Sequence, residues 1–476
     1  MKKLTSQAQD FAQWYLDIVQ MADLADYSKV KGCMVIKPYG YRIWELIQAE
    51  LDRRIKEAGV QNVYFPLFIP QSLLTREKDH VEGFAPECAV VTHGGGKELA
   101  EPLIVRPTSE TIMYDTFSDW VQSHRDLPLM INQWANVVRW EMRTRPFLRT
   151  TEFLWQEGHT AHATKKEAEE EAHRALKMYE DFDRDFLALP VLTGKKSPKE
   201  TFAGADYTLT TEALARDGKA IQAGTSHLLG QTFAKAFEIQ YQNEKGEKEY
   251  VWQTSWGLST RIIGTLIVCH GDEKGLRLPP MVAPHQIVLV PIWKDEKEGE
   301  AVIKELKDLQ GTLVKKGIRV HLDDRDNVTP GFKFNEWEMK GAPVRVEMGP
   351  RDLAKGELVA ARRDTGTKES LSVSDFVKGV EDLLSEIQAG MLSEAQQFVK
   401  DHTHEAETLD ELIKILDNEG GFVKAAWGGS EEDEKALQEK TKATLRVVVE
   451  EKMAKAKPCI FTGKDTNTLV YLARAY

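Results

Sequence analysis

The sequence predicts a multidomain protein that combines α/β and α+β units. At 476 residues, the chain is longer than one hydrophobic core usually holds, which indicates two to four domains. Its composition, 42% apolar and 29% charged, is typical of a globular protein in water. The pattern of strands and helices changes near residues 284 and 404, and we expect domain boundaries there.

The N-terminal unit, residues 1–283, is predicted to open with a helix and a strand. Apolar residues recur near helical spacing over 39–58, and Gly59 follows, which suits the end of a helix. The next segment, VYFPLFIP (63–70), predicts a short strand interrupted by prolines. A second amphipathic helix, charged on one face, is predicted over 165–187.

The middle unit, residues 284–380, alternates strands and helices. The apolar run HQIVLVPIW precedes a helix over about 298–316, and GIRVHLDD, another helix, PVRVEMG and LVAARR come next. This order predicts βαβ units in a small α/β domain. A long helix is predicted over 373–402 and closes the domain. Residues 381–403, most of which belong to this helix, link the domain to a charge-rich C-terminal domain at 404–476.

Composition and charge argue against several classes of protein. The N-terminal segment lacks the apolar core of a signal peptide, and no run reaches the roughly 18 apolar residues of a membrane span, so we expect a cytoplasmic protein. A net charge of −12 argues against nucleic-acid binding through bulk charge, though not through a local patch. The cysteines lie far apart without a CxxC, which argues against a disulfide framework; they are Cys33, Cys88, Cys269 and Cys459.

Two arginine-bearing segments carry the strongest chemical signal. In VRWEMRTRPFLRTTEFLWQEG (138–158), Arg139 and Glu141 share one face if they lie on a strand. Arg261, in WGLSTR, supplies a second guanidinium. Two fixed arginines suit a nucleoside triphosphate that is attacked at its α-phosphorus, and no GxxxxGK[ST] or GxGxxG loop is present. For the Arg139–Glu141 pair alone, the alternative is a surface ion pair.

Four motifs in the chain resemble those of one enzyme family, in the family's order. They are RPTSE (106–110), the segment 138–158, AIQAGTSHLLGQTF (220–233) and WGLSTR (256–261). Together they resemble the archaeal-type prolyl-tRNA synthetases, which are class II aminoacyl-tRNA synthetases without an internal editing domain. The resemblance spans essentially the whole chain.

The resemblance implies a fold and a reaction. It implies a class II catalytic domain with an antiparallel sheet over 1–283, an anticodon-binding α/β domain over 284–380 and an α+β domain over 404–476. The helix, strand and proline order over 39–70 is similar to motif 1, which builds the family's dimer interface, so a homodimer is implied. The implied reaction activates L-proline with ATP to prolyl-adenylate and pyrophosphate, then transfers proline to the 3′ end of tRNA(Pro).

Recognition of proline needs acceptors for a secondary amine with two N–H donors. Thr108 and Glu110, two apart in RPTSE, fit this need if the segment is extended. The alternative is a turn formed by PTS that leaves the glutamate exposed. By the resemblance, Arg139 holds the carboxylate of proline against the α-phosphate, where negative charge grows at the transition state.

The proline ring needs a small apolar slot with rigid walls. The further residues that match the family's proline site are Trp155, Glu157, His159, Phe202, His227 and Ser259. The first three fall on alternate positions and therefore share one face of a strand. As alternatives, Trp155 and Phe202 are core aromatics and His227 is a structural histidine.

A second set of residues is similar to the family's ATP contacts. The set comprises Arg139, Glu141, Arg149, Thr150, Gln222, Thr225 and Arg261. Glu141 accepts from the adenine amino group or braces the loop, Arg149 and Thr150 reach the triphosphate, and Arg261 lies on the pyrophosphate side. Mg²⁺ is expected because a pyrophosphate leaving group is normally bridged by metal, and Glu212 is its candidate ligand.

The chain departs from the family at two places. Family members often carry a four-cysteine zinc site, but here Gly428, Asp433 and Thr462 occupy three of the positions and only Cys459 remains. One thiolate cannot build a tetrahedral site, so we expect no zinc. Only about 60 residues separate the segment 138–158 from AIQAGTSH, which leaves no room for an editing domain. A slot for proline therefore rejects alanine weakly.

The last residues, LVYLARAY, form an apolar, β-like stretch, which indicates a docked segment. In the family a C-terminal tyrosine folds back toward the catalytic domain, and Tyr476 matches it. The alternative is a strand packed only within its own domain.

Two rival functions remain. One is a synthetase for threonine, serine or glycine, against which RPTSE and the apolar slot argue. The other is a non-catalytic, synthetase-like protein that binds tRNA or a partner. The presence of Arg139, Arg149 and Arg261 favours an enzyme.

Overall fold

The fold was analysed in a computed structural model, which describes residues 3–74, 76 and 88–476. The helices of the first unit are α1 (Phe11–Met21), α2 (Pro38–Glu57), α3 (Gln71–Leu74), α4 (Glu110–Trp120), α5 (Lys165–Asp185), α6 (Thr232–Ala236) and α7 (Arg261–His270). Its strands are β1 (Ala25–Tyr27), β2 (Met34–Ile36), β3 (Gln61–Asn62), β4 (Phe68–Pro70), β5 (Ala89–Gly94), β6 (Lys97–Val105), β7 (Leu129–Val138), β8 (Glu152–His162), β9 (Leu192–Lys195), β10 (Tyr207–Leu214), β11 (Ala220–Gly230), β12 (Gln240–Gln242), β13 (Lys248–Tyr250) and β14 (Trp252–Ser259).

The remaining elements form the middle and C-terminal units. The middle unit contains β15 (Ile287–Pro291), α8 (Glu296–Lys315), β16 (Val320–Leu322), α9 (Pro330–Met339), β17 (Val344–Met348), α10 (Pro350–Lys355), β18 (Glu357–Arg362), β19 (Lys368–Ser372) and α11 (Val373–Asp401). The C-terminal unit contains β20 (Thr403–Glu405), α12 (Leu409–Asn418), β21 (Phe422–Ala426), α13 (Glu431–Thr441), β22 (Thr444–Val448), β23 (Lys457–Pro458), β24 (Asp465–Thr466) and β25 (Leu469–Ala473).

An eleven-stranded sheet runs through the first and last units in the order β20-β21-β25-β22-β9-β10-β11-β14-β8-β7-β3. Its centre, from β9 to β7, is antiparallel throughout, as predicted for a class II catalytic domain. The two units join where Val448 of β22 pairs with Lys195 of β9. The sequence did not predict this join, because strand pairing across such a separation leaves no local signal.

Helix α5 covers one face of the catalytic sheet. Thr164 and Glu167 form a capping box at its start, and its apolar side packs on β11 and β14. Tyr179 of this helix donates from its hydroxyl to Gln156 Oε1 on β8 at 2.7 Å. The predicted helix over 165–187 is thus confirmed, and it leaves the opposite face of the sheet open for a site.

The strand predicted over 63–70 is wrong in its centre. Strand β3 ends at Asn62 and β4 begins at Phe68; between them, Val63 still donates to Asn132 O of β7 at 2.8 Å, whereas Phe65 bonds to side chains. Gln133 accepts from the Phe65 N–H, and Arg106 Nη1 donates to Phe65 O at 2.9 Å. The helix before it is confirmed as α2, which ends two residues before Gly59.

The middle unit is the small α/β domain that the sequence predicts. Its sheet has the order β16-β15-β17-β18-β19, with β15 parallel to both β16 and β17. The antiparallel strands β18 and β19 extend it on one side. Helix α11 then runs 29 residues toward the C-terminal unit. The exact domain boundaries stay predictions.

A buried acid on α5 gives the fold a pH dependence. Asp183 is fully buried and accepts from Thr211 Oγ1 at 3.1 Å, and burial raises its pKa to about 8. Between about pH 4 and pH 8 the folded state keeps this proton while the unfolded chain loses it. The free energy of unfolding therefore falls as pH rises through this window, by up to about 1.4 kcal/mol per pH unit.

We expect Asp183→Asn, which mimics the protonated acid, to reduce this loss. The measurement compares the melting temperatures of wild type and variant at pH 6 and pH 8. The wild type should lose more of its melting temperature than the variant between the two pH values. Equal losses would show that Asp183 is already ionised in the folded protein.

Candidate active site

Two adjoining cavities lie on the face of the catalytic sheet opposite α5. The first has a volume of about 290 Å³ and the second about 690 Å³. Both are lined by Arg139, Phe153, Ser259 and Arg261. The cavities therefore meet at a wall that carries two guanidinium groups.

The predicted residues separate between the two cavities. The first is lined by Thr108, Glu110, Arg139, Trp155, Glu157, His159, Phe202, Gln222, Thr225, His227, Ser259 and Arg261. The second is lined by Arg139, Glu141, Arg149, Thr150, Ser259 and Arg261. Glu212 lines neither cavity. The residues predicted for proline lie together in the first, and those predicted to reach the triphosphate lie in the second.

Strand register explains why distant motifs meet. Strand β14 lies between β11 and β8, so that Ser255 pairs with both His227 and His159. Trp155, at the other end of this segment of β8, pairs with Ser259. Because side chains alternate along a strand, the expected residues on β8 all point to the cavity face.

The expectation that RPTSE is extended is wrong. Ser109 has helical backbone angles, and α4 begins at Glu110. The start of the helix nevertheless brings the Thr108 hydroxyl to the Glu110 carboxylate, to which it donates. Glu110 is only 4% exposed, which excludes the alternative of an exposed glutamate in this structure.

A buried hydrogen-bond network fixes Glu157 in the first cavity. Its Oε1 accepts from Ser109 Oγ at 2.6 Å and from Gln133 Nε2 at 2.9 Å, and its Oε2 lies 3.1 Å from His159 Nε2. Burial alone would raise the pKa of Glu157, but His159, Ser109 and Gln133 outweigh it and hold that pKa below its ordinary value. Tyr114 bonds the other ring nitrogen of His159 at 2.9 Å. The first cavity thus contains a fixed negative charge.

His227 is a neutral histidine on the cavity wall. Its Nδ1 lies 2.8 Å from Thr208 Oγ1, and its ring lies 4.7 Å from that of Phe202 between centroids. Burial lowers the pKa of His227 to about 3, with His159 and Arg139 adding to the effect. At neutral pH it therefore presents an uncharged ring to the cavity.

Arg139 lies just after a strand rather than on it, because β7 ends at Val138. Its backbone N–H still donates to Thr151 O at 2.8 Å, and its Nε donates to Pro107 O at 3.0 Å. The guanidinium carbon lies 5.6 Å from the Phe153 ring centre and 5.5 Å from that of Trp155. These contacts hold the guanidinium between the two cavities.

Arg261 begins α7, is partly buried and lies close enough to Arg139 to be affected by its charge. Its Nε donates to Leu148 O at 3.1 Å, and its backbone N–H donates to Ser259 Oγ at 3.3 Å. Burial lowers the pKa of Arg261, and the charge of Arg139 lowers it further. A positive helix N-terminus and two guanidiniums therefore converge on one region, which favours a bound anion.

The second cavity is strongly basic. Its cationic lining residues are Arg139, Arg143, Arg145, Arg149, Lys219 and Arg261. Among the described residues, its one acidic side chain is Glu141, which pairs with Arg149 and accepts from the Arg143 N–H at 2.9 Å. Thr150 donates from its hydroxyl to Glu152 O at 2.8 Å. The lining suits a polyanion such as a triphosphate.

Tyr476 contacts the catalytic unit at the second cavity. Its N–H donates to Ala220 O at 3.1 Å, and its hydroxyl donates to Asp217 Oδ2 at 2.9 Å. Lys219 Nζ lies 5.2 Å from the centre of its ring. Strand β25 itself packs between β21 and β22. The segment thus packs within its own domain and also reaches the cavity.

Glu212 does not fit its predicted role as a magnesium ligand. It is fully buried, and its carboxylate bonds to Lys196 at 2.6 Å and to Arg446 at 2.9 Å. Both oxygens already have cationic partners. The sequence could not show this, because the partners lie 16 and 234 residues away.

Several cavity residues were not predicted from the sequence. In the first cavity these include Lys196, Glu200, Thr208 and Ser255, and in the second Arg143, Arg145 and Lys219. The basic loop MRTRPFL was a usable signal for Arg143 and Arg145. Nothing local distinguishes Lys196 from an ordinary surface lysine.

Neither a metal-binding cluster nor a membrane-spanning helix is present in the described part of the chain. No three His, Cys, Asp or Glu side chains there cluster so as to hold a metal ion. Within the same residues, no helix has the length and apolar character needed to cross a bilayer.

Comparison with known proteins identifies the family. Residues 91–270 match the class II tRNA synthetase core domain (G, H, P, S and T), and residues 286–383 match an anticodon-binding domain. Residues 409–476 match the C-terminal domain of prolyl-tRNA synthetase. The chain is 54% identical to a proline–tRNA ligase of Natranaerobius thermophilus, over 100% of this chain and 98% of that protein. The chain belongs to the prolyl-tRNA synthetase family.

Further relatives agree with this assignment. The chain is 53% identical to a proline–tRNA ligase of Chloroherpeton thalassium over the full length of both proteins. It is also similar to the crystal structure of prolyl-tRNA synthetase from Cryptosporidium parvum complexed with halofuginone and AMPPNP. The TM-score is 0.95, with 42% identity over 99% of each chain. The predicted class II fold and the predicted function, ATP-dependent ligation of proline to tRNA, are confirmed for a prolyl-tRNA synthetase of this short form.

Proposed function

We propose that the first cavity binds L-proline and the second binds the triphosphate of ATP. The observation that carries this proposal is the wall common to both cavities, where Arg139 and Arg261 lie. A carboxylate in the first cavity and an α-phosphate in the second would meet at this wall. In-line attack at the phosphorus then forms prolyl-adenylate and releases pyrophosphate, and proline passes to the 3′ end of tRNA(Pro).

Acidic groups in the first cavity suit the amine of proline. Glu110 and the Thr108 hydroxyl lie side by side, so that together they accept from both N–H donors of the secondary ammonium. Glu157 adds a second negative charge nearby. Trp155, Phe202 and the neutral ring of His227 supply the flat walls of the slot for the ring.

Arg139 is the residue proposed to act on the reacting atoms. It binds the proline carboxylate and the α-phosphate, on which negative charge accumulates at the transition state. Arg261 holds the pyrophosphate side, together with Arg149 and the loop before it. Gln222 and Thr225, on β11, are proposed to contact the nucleotide from the first cavity. The AMPPNP named for the related C. parvum structure is consistent with ATP as nucleotide.

The metal requirements are also proposals. Mg²⁺ is expected to enter with ATP, but Glu212 is occupied by Lys196 and Arg446, so phosphate oxygens and water are the fitting ligands. We propose that no structural zinc is bound, since Cys459 stands alone among the four expected positions. Metal analysis of the purified protein tests this, and one zinc per chain would contradict it.

A homodimer in the cytoplasm is the proposed working form. Most of the large apolar side chains that are exposed lie in the first 142 residues, which include the region similar to motif 1; among them are Tyr27, Val30, Val35, Tyr64, Phe68 and Val90. Among the described residues, strand β3 is also the last strand of the sheet on that side. Sedimentation should give twice the chain mass of 53.9 kDa, and a monomer at micromolar concentration would contradict the proposal.

The proposed function is tested by ATP–pyrophosphate exchange with each of the twenty amino acids. We expect proline to support exchange strongly and alanine weakly, because a slot for proline rejects a smaller side chain by only about 1–3 kcal/mol. Exchange with threonine, serine or glycine but not proline would assign another synthetase. No exchange with any amino acid would favour the non-catalytic alternative.

Removal of Tyr476 is expected to lower kcat/KM for proline activation without loss of folded protein. The physical reason is its contact with Asp217 and with the backbone of Ala220 at the edge of the second cavity. Tyr476→Phe is the matched control, since it keeps the ring beside Lys219 and loses only the hydroxyl. Near-normal activation after removal would reduce Tyr476 to a packing role.

A further inference from the structure

A buried ionic group connects the C-terminal unit to the wall of the first cavity. Glu212, on β10, accepts from Lys196 Nζ at 2.6 Å. Arg446, on β22, donates to both oxygens of the same carboxylate, from Nη2 at 3.0 and 2.9 Å and from Nε at 3.0 Å. Lys196 lines the first cavity, whereas Arg446 does not. One carboxylate thus joins a cavity residue to a residue of another domain.

Strand irregularities accompany this contact on both sides. The register of β22 against β25 shifts between Leu445 and Val447, so that Arg446 is the extra residue of a bulge. The register of β10 against β11 also shifts, between Thr211 and Glu212. Bulges often re-aim a side chain next to an active site. In the second shift the extra residue is Ala223 of β11, opposite the step from Thr211 to Glu212, so an irregularity lies next to each member of the pair.

A contribution to folding stability alone does not explain why these three charged side chains are buried together. Burying charges costs solvation free energy, and apolar residues of similar volume often stabilise a protein as well or better. The charge balance suggests a different reason. Within this group Lys196 and Arg446 carry one more positive charge than Glu212 neutralises, and the acidic Glu200, which also lines the first cavity, acts on Lys196. The charges of Glu212 and Arg446 also act, in opposite directions, on the guanidinium of Arg261.

We propose that Arg446 is a positioning residue for proline activation. By sharing Glu212, it helps to hold Lys196 in place on the cavity wall and offsets part of the negative charge that Glu212 places near Arg261. Docking of the C-terminal unit thereby completes the catalytic site. Without Arg446, the negative charge of Glu212 would act on Arg261 with less to offset it, close to the wall where the reacting phosphate becomes more negative. This inference rests on the proposed function of the two cavities.

The test compares Arg446→Met and Arg446→Gln with wild type in proline-dependent pyrophosphate exchange, using the full chain. We expect kcat per folded molecule to fall roughly 10- to 100-fold. Losses of this size are found when a residue that holds a metal-binding side chain in place is replaced. KM for proline should change much less, because Lys196, the member of the group that lines the proline cavity, keeps its own bond to Glu212 in both variants. Arg446→Lys, which keeps the charge, should recover part of the loss.

Lys457→Met is the control within the C-terminal unit. The Lys457 ammonium lies 3.3 Å from Glu407 of the same domain, and Lys457 lines neither cavity. We expect this variant to keep its kcat per folded molecule. Equal kcat in folded Arg446→Met or Arg446→Gln and in wild type would overturn the inference.

A double variant distinguishes the effect of the lost charge at Arg446 from an effect on folding. Glu212→Gln added to Arg446→Met removes opposite charges together and leaves Lys196 positive. We expect the double variant to exchange pyrophosphate faster, per folded molecule, than Arg446→Met or Arg446→Gln; a slower rate would overturn the inference. If wild type itself shows no exchange with proline, the proposed function fails first. If wild type is active and the variants match it, only the role of Arg446 fails.

Discussion

Arg139→Ala is expected to lower the rate of prolyl-adenylate formation by about 10²–10³-fold, as for loss of one preorganised donor to a developing anion. The side chain is held by Pro107 O and lies against Phe153 and Trp155, so its position is fixed before substrate arrives. KM for proline should also rise, because the same guanidinium is proposed to hold the proline carboxylate. The measurement is pyrophosphate exchange at varied proline concentration.

Two further variants sharpen this prediction. Arg139→Lys keeps the charge but loses the two-pronged donor, and it should recover only part of the rate. Arg351→Ala removes an exposed arginine of the middle unit and serves as the control. If folded Arg139→Ala exchanged pyrophosphate at the wild-type rate, the role assigned to Arg139 would be wrong.

Glu110→Gln is expected to have the second large effect, on kcat/KM for proline. Removing one partner of a buried charge pair costs about 2–5 kcal/mol. That range corresponds to a loss of roughly 30-fold to several thousand-fold. Most of the change should lie in KM for proline, since the ammonium is bound before and during the reaction. KM for ATP should change little.

A structural role for Glu110 makes a different prediction. The residue opens α4, where an acidic side chain stabilises a helix by about 0.3–1 kcal/mol. If that were its whole role, Glu110→Gln would lower the melting temperature slightly and leave KM for proline unchanged. Glu431→Gln, which alters the first turn of exposed helix α13, is the matched control for the loss of a helix-start charge.

The sequence predicted the parts of the site that depend on local periodicity. Trp155, Glu157 and His159 were placed on one strand face by their alternate spacing, and β8 has that arrangement. The sequence predicted that Thr108 and Glu110 lie together because it predicted an extended segment. They do lie together, but the start of a helix is what places them side by side. The order of the motifs along the chain, rather than the residue types, is what distinguished these side chains from ordinary core residues in the prediction.

What the sequence could not predict depends on contacts between distant segments. Glu212 is a reasonable metal ligand until Lys196 and Arg446 are seen to occupy both of its oxygens. The pairing of β22 with β9 makes one sheet of two domains, and no residue near Val448 signals it. Such pairings are decided by packing over the whole chain, which a local pattern does not contain.

A crystal structure with a sulfamoyl analogue of prolyl-adenylate would test most directly whether the first cavity binds proline and the second binds the triphosphate. We expect the pyrrolidine nitrogen within hydrogen-bond distance of Thr108 and Glu110, and the sulfamoyl group facing Arg139 at the wall between the two cavities. A ring bound outside the first cavity, or a sulfamoyl group remote from Arg139, would contradict the proposed division of the site.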